Sequence, residues 1–293
     1  MIVIRRARDA DRGPILKFCT NTFTWGDYID QVWDFWSEDK RGRLLVADAG
    51  GRKRIGMAHV ALCPDGEKIW LEGIRVHPGY RRSQVATALI DAMIKFGHRK
   101  NARQASAIVA LDNLASQRMM EKSGFAVVSR WAYYGTDEAL KTRRSGARFA
   151  AASDSHIIWK YLGSSIIYKL SAGMYVKSWH WYPLDRYTLN DFIKKRRVIV
   201  AGEPVRGIAI INPSGYWKRK DVLQVVYLDS CSTGILRDLM SFVANIYAEA
   251  RFERFQVLCQ QSNRMISVLE EFRMKESEQF LLYNKVFTPR ASP

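Results

Sequence analysis

Between Lys68 and Gly97 the apolar pattern changes period once, and few folds accommodate that change. Lys68–Val76 (KIWLEGIRV) is rich in large and β-branched apolar residues and reads as a strand. After His77-Pro78-Gly79, Val85, Leu89, Ala92, Met93 and Phe96 recur at helical spacing, and the run stops at Gly97. A strand that passes through a tight loop into a helix exposes consecutive backbone N–H groups at the positive end of the helix dipole, where phosphate binds. Arg81 and Arg82 lie in that loop and add fixed charge for a pyrophosphate or a ribose phosphate.

The same two periods organise the rest of the chain. Residues 2–6 form a strand, a helical pattern runs from Pro14 toward Phe23, and Thr24–Tyr28 interrupts it before a second helix, Tyr28–Trp36. Strands Arg43–Asp48 and Ile55–Leu62 precede the central stretch. Strand Ala105–Leu111, a helix from Leu114 to Gly124 and strand Phe125–Tyr134 follow it. Residues 135–156 are polar, small and basic, as in a linker. The second half then repeats the first weakly: 197–211, 222–230 and 255–260 read as strands, Ile235–Ala250 and Met265–Phe272 as helices, and Gln279–Phe287 as a closing strand. The fold class expected is α/β, a mixed central sheet with flanking helices in two tandem copies. The expected boundaries are 1–136 for the first domain, 137–156 for the linker and 157–293 for a degenerate second copy. The final strand of the first domain is expected from 157–162 or from 174–182.

A chain of 293 residues with 47% hydrophobic residues has room for two cores, which excludes a single small module and a disordered chain. Its net charge of +17, spread over both halves, suits an anionic partner without naming one. Cys19, Cys63, Cys231 and Cys259 are far apart and form no CxxC pair, against a zinc site or a disulfide framework. No apolar stretch reaches 18 residues and the start lacks a signal-peptide core, so the expectation is a soluble, cytoplasmic protein without a membrane segment or a metal.

Val76-His77-Pro78-Gly79-Tyr80-Arg81-Arg82-Ser83-Gln84-Val85-Ala86 resembles the acetyl-CoA loop of the GCN5-related N-acetyltransferases (GNAT), written Arg/Gln-x-x-Gly-x-Gly/Ala after a strand ending in Val-x-Pro. Arg81 and Ala86 match, and Gln84 stands at the central glycine. A second stretch, Asn113 to Phe125 (NLASQRMMEKSGF), resembles the family's helix beside the CoA arm, except that Met120 replaces the Tyr that often protonates the departing thiolate. The resemblance covers residues 1–134 well, and 190–287 through element order. It implies acetyl-CoA as cofactor. Arg81, Arg82, Ser83, Gln84, Val85, Ala86 and Thr87 would grip its pyrophosphate. Ile74, Arg75 and Val76 would offer backbone hydrogen bonds to the pantetheine arm where two strands splay apart, and Asn113 and Ser116 would border the same arm.

Acetyl transfer to an amine requires that the amine lose a proton before or during attack, so a carboxylate or imidazole is needed within reach. Glu72, four residues before Val76 in an apolar strand, is the candidate general base, and such a setting favours a raised pKa. The plain alternative is an outward-facing Glu paired with an Arg. His59 and His77 are further candidates for the base, and the plainer reading is a half-buried strand residue for His59 and a residue fixed by the turn at Pro78 for His77. Trp25, Tyr28, Tyr133 and Tyr134 are candidates for the acceptor pocket, with either tyrosine of the last pair a substitute for the missing acid. Trp33 and Trp36 read as core. The runs 194–197 and 218–220, beside Tyr216 and Trp217, suit single-stranded nucleic acid, but solvated faces are the commoner outcome and no recognised nucleic-acid motif is present, so nucleic acid is not the favoured partner. In the second half Asp229–Gly234 stands in place of the phosphate loop, so that copy is expected to be catalytically silent. Two readings stay open. One is an acetyl-CoA-dependent N-acetyltransferase acting on a primary amine of a small molecule or a protein N-terminus, favoured by Glu72 and by the match from Asn113 to Phe125. The other is a non-catalytic binding protein with a nucleic-acid or protein partner, favoured by Gln84 and Met120.

Overall fold

Each change of apolar period becomes an element boundary in the computed structural model, which describes residues 1–20, 22, 26–51, 53–216 and 219–287. The first half runs β1 (Ile2–Arg6), α1 (Arg12–Cys19), α2 (Ile29–Ser37), β2 (Gly42–Ala49), β3 (Lys53–Leu62) and β4 (Lys68–Val76). It continues through α3 (Val85–Arg99), β5 (Gln104–Ala110), α4 (Leu114–Lys122) and β6 (Ala126–Thr136). The second half runs β7 (Arg148–Phe149), α5 (Ser155–Ser164), α6 (Ile166–Leu170), β8 (Met174–Lys177), β9 (His180–Pro183), α7 (Arg186–Lys194) and β10 (Val198–Ala201). Then come β11 (Gly207–Asn212), β12 (Val222–Ser230), α8 (Thr233–Glu249), β13 (Arg254–Cys259), α9 (Asn263–Glu271) and β14 (Lys275–Val286).

Contacts divide the chain into a first unit, Met1–Val128 with the chain from Leu282 onward, and a second unit, Ser129–Leu281. The divisions fall inside β6 and β14. In the first unit the strands lie in the order β1-β2-β3-β4-β5-β14-β6, and in the second the order is β7-β10-β11-β12-β13-β6-β14. In both, antiparallel strands lead to one parallel pair, β4 with β5 and β12 with β13. The expected mixed sheet with flanking helices in two tandem copies is what the chain forms.

The strand that lies beside β5 in the first unit is the end of β14. It is fixed there by the Phe287 N–H on the Arg103 carbonyl, 2.8 Å, and by Ser106 Oγ donating to Asn284 Oδ1, 2.9 Å. It comes neither from 157–162, which is helical within α5, nor from 174–182, which supplies the β8–β9 hairpin of the second unit. The expected linker is also structured. β7 pairs with β10, and Ser145 Oγ donates to the Asp238 carbonyl at 2.7 Å. Residues 145–149 thus pack within the second unit, Ser129–Leu281.

Each copy opens with the same staple. Arg5 reaches six residues on to Asp11 with two hydrogen bonds, 2.7 and 2.8 Å, while the Arg8 N–H donates to the same carboxylate at 2.8 Å. Arg148 binds Asp154 through 2.6 and 3.0 Å contacts, with the Ala151 N–H at 2.7 Å. The pattern Arg-x-Ala-x-x-x-Asp stands in both stretches (Arg5-Ala7-Asp11, Arg148-Ala150-Asp154), a signal of duplication that element order alone does not show. Asp11 is wholly buried and also accepts from Arg54 Nε at 2.7 Å. Burial alone raises a carboxyl's pKa, but these hydrogen bonds outweigh it and hold Asp11 far below the usual carboxylate range.

A carboxyl with a lowered folded pKa contributes stability that is complete above its unfolded value of about 4 and is lost as pH falls below it. Asp11→Asn should therefore lower unfolding free energy at pH 7 by roughly 3 kcal/mol, the scale of breaking a buried ion pair. Its denaturation midpoint should also change less between pH 7 and pH 3 than the unaltered protein's. Equal pH dependence in the two proteins would exclude this role.

Candidate active site

The site is built on an irregularity in β4. Against β3, Met57 faces Arg75 but His59 faces Glu72, so one extra residue of β4 is accommodated between them. The bulge contains Gly73 at φ +65°, and a Cβ there would lie 2.5 Å from ring atoms of Trp36. Left-handed backbone and an approaching indole both require glycine at this point. On its other side β4 pairs with β5 over Lys68–Trp70 against Gln104–Ser106 and parts from it beyond that, while pairing with β3 continues to Val76. The expected splay at residues 74–76 is present. One of its carbonyls is engaged locally: Ile74 O accepts from Arg75 Nη1 at 3.2 Å.

Beside the bulge, Glu72 Oε1 lies 2.8 Å from His59 Nδ1, with its side chain 13% exposed. His59 is buried at 2% exposure, its Nε2 lies 3.3 Å from Asp39 Oδ2, and its ring stacks on Trp36 at 4.8 Å and 6°. Burial lowers the imidazole's pKa, and the two neighbouring carboxylates of Asp39 and Glu72 more than reverse that, so the net shift is upward. Asp39 is held below its ordinary value: burial raises it, and His59 with the Arg41 N–H outweighs burial. Glu72 thus has a histidine for a neighbour, with Asp39 on the far side of that ring. The sequence carries no signal of this, because His59 stands opposite Glu72 only through the bulge.

Tyr28 and Arg75 form the adjoining wall. Arg75 makes a two-pronged contact with Asp27, 2.7 and 2.9 Å, and its guanidinium lies 5.2 Å from the Tyr28 ring centre. The Tyr28 ring meets Trp36 edge-on at 6.1 Å, and burial pushes its hydroxyl pKa up. The side chain of Arg75 is therefore a structural anchor for residues 27–28. Trp33 and Trp36 are buried, as expected of core residues. Trp25 lies outside the described residues.

At the far end of β4, the His77 ring accepts from the Gly79 N–H at 3.1 Å and fixes the turn, the role expected of it. Arg81, Arg82, Ser83 and Gln84 are exposed; Val85 is buried, Ala86 half-buried and Thr87 exposed. Arg82 and Gln84 adopt left-handed backbone at φ +63° and +61°. The second is the position where the resembling loops carry glycine, so Gln84 keeps the backbone path at a cost of about 1 kcal/mol. The Gln84 side chain makes no capping bond to α3, whose first-turn N–H groups have no acceptor within the helix. Asn113 caps α4 by accepting from the Ser116 N–H at 3.1 Å, so both residues shape the start of that helix. Met120 is buried and offers no proton.

Tyr133 and Tyr134 fall in the second unit. Tyr133 accepts from Gln256 at 2.9 Å and meets Trp179 edge-on, and buried Tyr134 donates to Glu276 at 3.0 Å. In that unit the place of the phosphate loop is differently filled. The Asp229 carboxylate is buried and accepts from Tyr161, Ser165 and Tyr227, and Ser232 Oγ caps α8 by accepting from the Ile235 N–H. Of the basic runs, Lys195 pairs with Asp191, Arg196 lies over Phe149, Arg197 donates to Ser214 and Arg219 pairs with Asp221. Trp217 and Lys218 lie outside the described residues. Among the described residues no cluster of His, Cys, Asp or Glu could hold a metal ion, and no helix is long and apolar enough to cross a membrane.

Residues 14–125 match the acetyltransferase (GNAT) family. An aminoglycoside N(6')-acetyltransferase type 1 of Salmonella typhimurium is 32% identical over 72 residues, 25% of this chain and 50% of that protein, so the match spans half the length of the relative. A GCN5-related N-acetyltransferase from Sphaerobacter thermophilus has the same fold over 98% of this chain and 96% of its own, with TM-score 0.64 and 12% identity. A tandem GNAT protein from the clavulanic acid biosynthesis pathway is covered at 99% of both chains, with TM-score 0.52 and 13% identity.

Gly73→Ala should cost at least about 2 kcal/mol, since it combines left-handed strain with overpacking against Trp36. Chemical denaturation measures this, and a loss below about 0.5 kcal/mol would mean that the bulge does not depend on glycine.

Proposed function

We propose that residues 14–125, a domain of the acetyltransferase (GNAT) family, carry an acetyl-CoA-dependent N-acetyltransferase that acetylates a primary amine by direct attack, with Glu72 as general base. The observation that carries the reading is the meeting, in one unit, of an uncapped helix start, a parting of β4 from β5, and a partly exposed carboxylate on the same strand.

The residues present fit the cofactor. The N–H groups at the start of α3, with the positive end of its dipole, suit a pyrophosphate, and exposed Arg81 and Arg82 add charge beside them. The backbone of Ile74, Arg75 and Val76 lies where β5 has turned away, which suits an extended amide-bearing arm. Acetyl-CoA supplies an activated acyl thioester. Glu72 takes a proton from the acceptor's ammonium to give the neutral amine that attacks, and the second proton that nitrogen loses on acylation would pass through water to the leaving thiolate, because Met120 has none to give. Asn113 and Ser116 support this site by fixing the start of α4. The acceptor proposed is a small molecule with a primary amine; the name of the Salmonella relative puts aminoglycosides first in a test panel, ahead of polyamines and N-terminal peptides.

Two outcomes test the proposal. Titration calorimetry should give one acetyl-CoA per chain, because the second unit caps the corresponding helix with Ser232 and turns Asp229 inward. Two equivalent sites would contradict it. In an amine panel that includes kanamycin, spermidine and N-terminal peptides, Glu72→Gln should lower kcat by roughly 10²–10⁴ with little change in acetyl-CoA affinity. An unchanged kcat would remove Glu72 from the mechanism.

A further inference from the structure

The pair formed by His59 and Glu72 carries more than the assignment of a base. His59 is enclosed on every side: Trp36 covers its ring face, Asp39 stands at Nε2 and Glu72 at Nδ1. An imidazole between two carboxylates and under an indole face is in a site built for imidazolium. Its place on β3 at the register shift sets it directly opposite Glu72.

We infer that His59 is a positioning residue for Glu72, fixing one carboxylate oxygen and, with Asp39, leaving the three-residue cluster a single negative charge with which to receive the acceptor's proton. The inference rests on the reading of Glu72 as base. In the step it serves, the N–H bond of the ammonium breaks, an O–H bond forms on the Glu72 carboxylate, the electron pair stays on nitrogen, and His59 keeps its own proton. The cluster passes from one net negative charge to none, so no isolated charge is created in a closed site. Among the described residues, the charged or titratable groups that interact with it include the Tyr28 hydroxyl, the Cys63 thiol just past β3, and, through Tyr28, Arg75, which pairs with Asp27. The upward shift of the imidazole's pKa agrees with this geometry.

The test uses the intact chain and, as acceptor, the amine with the highest rate in the panel above. His59→Asn keeps an N–H donor near the position of Nδ1 and removes the charge, whereas His59→Leu removes both. Loss of a cation in contact with Glu72 raises that carboxyl's pKa, so in His59→Asn the acid limb of the kcat/KM profile should move up by about one pH unit or more, with kcat at the plateau within about threefold of the original. His59→Leu should move the limb further and lower plateau kcat at least about tenfold, with the KM for acetyl-CoA unchanged. An acid limb of His59→Asn that coincides with the original overturns the inference, since a purely structural histidine would change stability and leave the limb in place. A second measurement needs no acceptor. Imidazole NMR should show His59 protonated above its ordinary value of about 6.5 in the original protein and titrating lower in Glu72→Gln. A His59 titrating at or below 6.5 in the original also overturns the inference. Full activity in Glu72→Gln overturns the base assignment and this inference together; lost activity in Glu72→Gln with an unmoved limb in His59→Asn overturns this inference alone.

Discussion

The site depends on one residue's lack of a side chain. At Gly73 the backbone of β4 takes a left-handed turn under the Trp36 ring. That turn shifts the register with β3, so that Glu72 meets His59, and β4 beyond Trp70 is where the parallel pairing with β5 has ended. The bulge thus sets the Glu72 carboxylate opposite His59 on the stretch of β4 that has left β5.

Electrostatics divides the first unit in two. Toward the start of α3, exposed Arg81 and Arg82 and the uncapped amides form a basic end. Toward Tyr28 and Trp36, the carboxylates of Asp27, Asp39 and Glu72 gather with Arg75 and His59. The net charge of +17 belongs to the whole chain and describes neither end.

The two units share a plan and differ in their ends. Both begin with an Arg and an Asp six residues apart and both reach a parallel pair through antiparallel strands. In the second, Ser232 serves as the cap that α3 lacks, and Asp229 is committed to Tyr161, Ser165 and Tyr227. A capped helix start has one donor fewer for an anion, and a buried, fully bonded carboxylate offers nothing to a substrate.

Local pattern was enough for most elements. β4 and β12 have the bounds that their composition implies, α3 begins with Val85 and extends two residues past Gly97, and Gly124 has the positive φ expected just past α4. The strand, turn and helix start of residues 68–99, with Glu72 on the strand, were legible because these are short-range features. Three matters were not. The strand beside β5 comes from residues 282–286, far along the chain, and no periodicity says which strand fills an edge. Tyr133 and Tyr134 look like neighbours of the first site in sequence, and contacts assign them to the second unit. His59 reads as an ordinary strand residue until the bulge at Gly73 sets it opposite Glu72. The sequence by itself determined the elements, their order and the chemical types at the loop and on β4, because these follow from spacing and turn chemistry. Tertiary structure alone decided partners across strands, since pairing is chosen by register and burial among residues distant in the chain.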